Sequence, residues 1–361
     1  MDEMYGTMEG NGQAPMYGNG GCWQGGPSQP QEDVRTIRRH FSKLGGLFTA
    51  GAVLIYAVQL IPMFLVSYLR PEWMRDANIS LILSVMPMYL VGMPILILLL
   101  KLLPGEKVEG RPMGAGKFIM SAVMCFALMY IFNILGTLIT TLIGLVKGGT
   151  VDNEVANMTA SISMVLILIY MVICAPVFEE IIFRKLIVER TVRYGQGVAV
   201  MVSGLMFGLF HGNLNQFMYA FALGMFLAFL YVKTGNIKIT IGLHMMVNFV
   251  GGFLSSGLMR MLDLDQYMWV ASTGDMELMM NFIYNNLLPL LLYLLLALFV
   301  VGMIIGGGVL FIVAIVKNKF TFAGGTVTIP KGKRFRTVVL NAGMLCYGIF
   351  WIGMIILQLL S

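Results

Sequence analysis

The sequence predicts an all-α, polytopic membrane bundle of about eight or nine transmembrane helices with a cytoplasmic N-terminus. Three observations carry that expectation. Of the 361 residues, 58% are hydrophobic and 12% are charged, about half the share of about 25% charged residues in a soluble domain. Apolar stretches close to the roughly 20 residues needed to cross a bilayer recur along the chain. When these stretches are threaded alternately through a membrane, all but four of the 24 Lys and Arg fall on one side.

The candidate spans are residues 45–69, 79–103, 118–146, 160–183, 196–211, 216–232, 239–259, 283–316 and 337–360. The eighth is long enough to tilt or to begin as an interfacial segment. Only Arg70, Arg75, Lys147 and Arg260 lie on the far side, beside Glu72, Asp76, Asp152, Glu154, Asp263, Asp265, Asp275 and Glu277. That is the positive-inside bias, and it predicts N-in, C-out. The net charge of +6 is therefore orientation, with some attraction to anionic lipid, and implies no nucleic-acid partner.

Four segments follow. Residues 1–44 are a Gly/Met/Pro-rich tail, expected to be disordered, with a basic lead-in from 34; the tail repeats Met4-Tyr5-Gly6 at Met16-Tyr17-Gly18. Its polar start predicts no cleavable signal peptide. Residues 45–116 hold two accessory spans, 117–259 the informative core, and 260–361 the C-terminal spans with a basic loop at 317–336. In that loop, alternation around Gly324-Gly325 predicts a small β-hairpin. Cys22, Cys125, Cys174 and Cys346 make no disulfide framework, since three of them lie within predicted spans.

Chemistry concentrates in the core. Glu179 and Glu180 stand side by side near the end of an apolar run, although one carboxylate at a bilayer centre costs about 2.5–3.5 kcal/mol on insertion scales. The chain has three histidines. His40, in the basic lead-in, reads as a solvated neighbour of charges, whereas His211 and His244 fall inside apolar spans. Glu180 and Arg184 are i and i+4 with the acid first, which predicts an ion pair, paired singly or as a fork. Glu179 is turned by about 100° from Glu180 and is left to face elsewhere. His244 and Asn248 share a face at i, i+4, as do Phe207 and His211. Counting from the basic pair Arg184-Lys185 and from Lys238 puts Glu179 and His244 roughly 8–9 Å below the cytoplasmic surface at 1.5 Å per residue.

A carboxylate, two imidazoles and an amide in one pocket can activate water. Glu179 would be the general base, and an imidazole would orient the water or protonate the leaving amine. His244 and Asn248 would polarise a carbonyl and hold its oxyanion. Glu179, His211 and His244 could equally hold Zn²⁺, and spacing across three helices leaves that open. Buried ionisable groups also serve proton-coupled transporters, although no internal repeat is visible here. A non-cleaving immunity or scaffold protein of the same fold is the third reading.

At these residues the sequence resembles the CAAX protease and bacteriocin-processing (CPBP/Abi) family of intramembrane proteases, which includes the Ras-converting CAAX endopeptidases. The family's three motifs stand here, in order, as Glu179-Glu180-Ile-Ile-Phe-Arg184, Phe207-Gly-Leu-Phe-His211 and His244-Met-Met-Val-Asn248. Ala175-Pro176 before the acid pair is also familiar, and Pro176 can kink the helix where a site opens. Lys185 departs from the Gly common after the Arg. The resemblance covers roughly 117–259. It implies catalytic roles for Glu179, His211, His244 and Asn248, and orienting roles for Glu180, Arg184 and Phe207. It further implies a site near the cytoplasmic leaflet, open to the cytosol. The implied substrate is a membrane-associated peptide, or the end of a lipidated or hydrophobic protein, and members are often labelled metalloproteases.

Overall fold

The computed structural model describes residues 32–360. The predicted disordered tail, its Met-Tyr-Gly repeats and Cys22 lie outside the described residues, apart from the basic lead-in.

Eight helices are long and apolar enough to cross a membrane. With one shorter apolar helix they are labelled α1 (Val34–Leu69), α2 (Ala77–Lys101), α3 (Ala115–Lys147), α4 (Met164–Tyr194), α5 (Gln196–Phe210), α6 (Leu214–Thr234), α7 (Ile237–Met259), α8 (Leu287–Val316) and α9 (Ala342–Leu360). The protein is a multi-pass integral membrane protein, and no strand forms among the described residues.

Local chemistry sets most boundaries. Asp33, Asp76, Ser163, Asn213 and Asn236 cap α1, α2, α4, α6 and α7, each side-chain oxygen accepting from a backbone N–H of the first turn. The α4–α5 corner turns on Gly195 at φ +113°, a conformation that glycine adopts without steric cost.

Three of the predicted elements need correction. The fifth predicted span is the 15-residue α5, only about 22 Å long at 1.5 Å per residue and short of the roughly 30 Å hydrocarbon core. Gly212 at φ +67° and the Asn213 cap turn the chain back before it crosses. The eighth candidate breaks at Asn286, so that a separate helix, Met276–Asn285, precedes α8. The expected hairpin at 317–336 does not form. Its backbone bonds go to the α4–α5 corner instead: Gln196 N–H to Ala323 C=O (3.1 Å) and Val327 N–H to Arg193 C=O (2.9 Å).

Cross-links define two ends of the bundle. At the basic end, Arg190 Nε donates to Leu100 C=O, Glu106 N–H to Glu189 C=O and Arg111 N–H to Thr234 C=O. His40 belongs here and is buried, not solvated: its Nε2–H donates to Arg190 C=O at 2.9 Å. At the opposite, acidic end, Lys147 Nζ donates to Leu359 C=O, Arg260 to Thr159 and Ile162 C=O, and Ser163 N–H to Asn78 Oδ1.

Between the ends, α5 and α6 pack with almost no gap. A Cβ on Gly208 would sit 3.1 Å from the backbone of Phe221, so glycine is what permits the approach. The outward face of α8 shows Leu291, Leu294, Leu298, Ile305 and Ile312, the apolar surface a helix in lipid presents.

Candidate active site

The motif side chains converge on one cavity of about 280 Å³ lined by Glu179, Phe207, His211, His244 and Asn248. Glu180 and Arg184 are not among its walls; both are fully buried behind it.

The local fold of α4 explains part of this. Around residue 175 the helix widens, and the Ala175 N–H bonds to Tyr170 C=O, five residues back. In that register Pro176 should serve Met171 C=O, but proline has no N–H. Asn248 fills the vacancy: its Nδ2 donates to Met171 C=O at 2.8 Å. The proline just before the first motif and the amide of the third are thus halves of one contact. The amide keeps a second N–H and its oxygen for the cavity.

Behind the cavity runs a charged chain. Arg184 Nε lies 3.1 Å from Glu180 Oε2, and His244 Nδ1 lies 2.9 Å from Glu180 Oε1. The carboxylate accepts, so Nδ1 carries the proton and Nε2 points onward, 3.7 Å from Glu179 Oε2. The i, i+4 pair forms as expected but not as a fork, because Arg184 Nη1 and Nη2 have no hydrogen-bond partner. The guanidinium instead lies over the Phe207 ring, 4.3 Å from its centroid.

Phe207 is the hub. Its ring meets His211 at 4.9 Å and His244 at 5.7 Å between centroids, both edge to face. Its carbonyl accepts from His211 Nδ1 at 2.9 Å. A carbonyl cannot donate, so His211 is protonated at Nδ1 and its Nε2 carries a free lone pair. One residue thereby fixes the orientation of both imidazoles and the tautomer of one.

The sequence missed a second rim. Asn213, Gln216 and Tyr219 line the same cavity and are chained, Asn213 Nδ2 to Gln216 Oε1 at 2.5 Å and Gln216 Nε2 to Tyr219 Oη at 3.0 Å. Their i, i+3, i+6 spacing on one face of α6 was the available signal.

The cavity lining extends beyond the motifs. Of the basic pair Arg184-Lys185, Arg184 is buried and Lys185 exposed, and Glu179 lies midway along the 31-residue α4. The cavity continues from Glu179 past Leu166 and Ile162 to Met158, Val155 and the exposed Glu154. Those residues are on the connection between α3 and α4, at the acidic end, not the end expected to be cytoplasmic.

Among the described residues no three His, Cys, Asp or Glu side chains are placed closely enough to hold a metal ion. The Nδ1 contacts of His244 with Glu180 and of His211 with Phe207 leave each Nε2 as the nitrogen that would serve a metal.

Comparison with known proteins points to the same part of the chain. Residues 159–250 match the family model described as type II CAAX prenyl endopeptidase Rce1-like. This segment is similar to that family. All three motifs fall inside it, which bears out the resemblance read from them. The chain is also 28% identical over 166 residues to "Putative membrane peptidase YdiL" of Bacillus subtilis (strain 168), an alignment covering 44% of this chain and 66% of that one. The chain thus spans just under two thirds of that relative's length. No solved structure matches significantly.

Proposed function

We propose that the protein is an intramembrane endopeptidase in which Glu179 activates water for hydrolysis of a peptide bond. The substrate class is a membrane-associated peptide or the end of a hydrophobic or lipidated protein. The observation that carries this reading is the division of labour inside the first motif. Glu179 faces the cavity with His211 Nε2, His244 and Asn248, while Glu180 and Arg184 stand behind and hold His244.

The chemistry follows from those positions. His211 Nε2, an acceptor, orients a water whose proton passes to Glu179 as its oxygen adds to the carbonyl carbon. The electron pair of the C=O bond moves to oxygen, and the free Asn248 N–H stabilises that oxyanion with His244 beside it. Collapse of the tetrahedral species re-forms C=O and breaks C–N, and Glu179 returns the proton to the leaving nitrogen. Preorganisation is what the supporting shell supplies: the imidazoles are held by Phe207 and Glu180, so neither must be oriented during the reaction.

The test compares peptide termini in membranes of cells expressing wild type or Glu179→Gln at matched levels. Termini that appear with wild type alone support the peptidase and name its clients. Indistinguishable profiles refute it and move proton-coupled transport or a scaffold role ahead.

A further inference from the structure

The motif residues hold few hydrogen-bond donors out to the catalytic cavity. Glu180 accepts from His244 Nδ1–H, so a neutral His244 offers only the lone pair of Nε2. His211 Nδ1–H donates to Phe207 C=O, and its Nε2 is likewise an acceptor. Glu179, acting as the base, accepts as well. Asn248 gives one of its two N–H groups to Met171 C=O. A single N–H is left for an oxyanion, which has lone pairs for a second donor.

The α6 rim carries such a donor, and its direction is fixed from the start of the helix. Asn213 caps α6: its Oδ1 accepts from Gln216 N–H at 2.8 Å, which identifies the oxygen and leaves Nδ2 to donate. Nδ2 donates to Gln216 Oε1 at 2.5 Å and to His211 C=O at 3.2 Å. Gln216 Oε1 is thereby the acceptor of that side chain, so Nε2 is the group that meets Tyr219 Oη at 3.0 Å and donates to it. The phenol oxygen accepts, and its own hydrogen finds no protein acceptor among the described residues. Other tyrosines of the bundle do donate to protein, Tyr231 to Glu189 Oε1 at 2.9 Å and Tyr347 to Met206 C=O at 2.6 Å. Tyr219 lines the cavity that holds Glu179, His211 and Asn248, and its ring packs against two of the hydrophobic clusters. The ring is therefore held by packing, and the hydroxyl hydrogen is left for a guest.

We propose that Tyr219 is a further catalytic residue, whose O–H binds the oxyanion formed from the scissile carbonyl, beside the free N–H of Asn248. Asn213 and Gln216 are positioning residues that turn this hydrogen to the substrate. The proton stays on the phenol throughout, and no bond beyond those of the hydrolysis is made or broken. The proposal rests on the peptidase reading.

The test uses the full-length protein. Clients are read as termini that appear in membranes with wild type and not with Glu179→Gln. An internally quenched peptide copied from one such site is then followed with purified wild type and variants in the same micelles. Tyr219→Phe keeps the ring and removes only the hydroxyl. The expected result is a kcat lower by about 10²-fold, as loss of one oxyanion donor gives, with KM little changed and the same denaturation midpoint. Full kcat, or a change in KM alone, overturns the proposal. If Tyr219→Phe does not fold, 3-fluorotyrosine in place of Tyr219 keeps the shape and alters the donor strength, and an unchanged kcat then overturns it.

Gln216→Glu tests the positioning. A carboxylate there still accepts from Asn213 but also accepts from Tyr219, which draws the hydrogen away from the substrate. It should lower kcat as Tyr219→Phe does, and the double variant should be no slower than Tyr219→Phe alone. A further loss in the double variant means that the added charge acts by itself, and overturns the positioning role. Failure of the two readings looks different. Cleavage that depends on Glu179 and runs at full rate in Tyr219→Phe overturns this proposal alone. Absence of any Glu179-dependent terminus overturns the peptidase and this proposal with it.

Discussion

Asn248→Ala tests the contact that ties the third motif to the first. In the wild type the Asn248 amide serves Met171 C=O, which Pro176 cannot serve for want of an N–H. Removing the amide deletes one hydrogen bond and leaves a carbonyl unpaired within the bundle. An unmade partner of this kind costs about 1–3 kcal/mol in folded proteins, while hydrogen bonds between membrane helices average about 0.6 and reach about 1.7 kcal/mol. The expected loss is therefore about 1–1.5 kcal/mol, read by reversible denaturation of the purified protein in mixed micelles. The decisive comparison is with Pro176→Ala, which restores an N–H able to reach Met171 C=O in the widened turn. In that background Asn248→Ala should cost clearly less, a coupling of about 1 kcal/mol in a double-mutant cycle. Equal cost in the two backgrounds would refute the argument that the proline creates the vacancy. Asn248→Leu, which keeps much of the volume but not the donor, should behave like the alanine variant.

Other perturbations separate chemistry from support. Glu179→Gln should keep the fold, since its carboxylate makes no contact shorter than 3.7 Å to His244, and should lower the rate of client cleavage about 10²–10⁴-fold, as removal of a general base does. Arg184→Ala should cost about 3–5 kcal/mol because it strands the Glu180 carboxylate at zero exposure; Arg184→Ala with Glu180→Gln should recover much of that in the same denaturation assay. Phe207→Leu should keep most of the stability yet lower cleavage, because the ring that packs against both imidazoles and Arg184 is gone, whereas Phe207→Ala should also cost about 3–5 kcal/mol. Retention of full activity by Phe207→Leu would mean that the ring only fills space.

How much was legible in the sequence differs by kind of information. The membrane class followed from composition, because a span must be apolar along its whole length and this is a local property. The pairing of Glu180 with Arg184 was equally local, since side chains four apart stay neighbours even where, from Glu180 to Val188, the helix widens. The three motifs gave the residues of the site for the same reason, each being a short spacing on a single helix. Spacing failed wherever a boundary depended on a neighbour. Nothing apolar in 196–211 announces that α5 stops short; Gly212 and the Asn213 cap end it. The alternation around Gly324-Gly325 reads as a hairpin until the α4–α5 corner supplies better backbone partners.

The sequence by itself determined that this chain lies in a bilayer and which side chains carry charge into it. Only the tertiary structure decided what those charges face. That His244 bridges Glu180 toward Glu179, that Asn248 completes a turn broken by Pro176, and that the cavity runs to Glu154 all depend on helices far apart in the chain. A helix's periodicity fixes which residues share its face. It carries no record of which other helix that face will meet, because that choice is made by packing across the whole bundle.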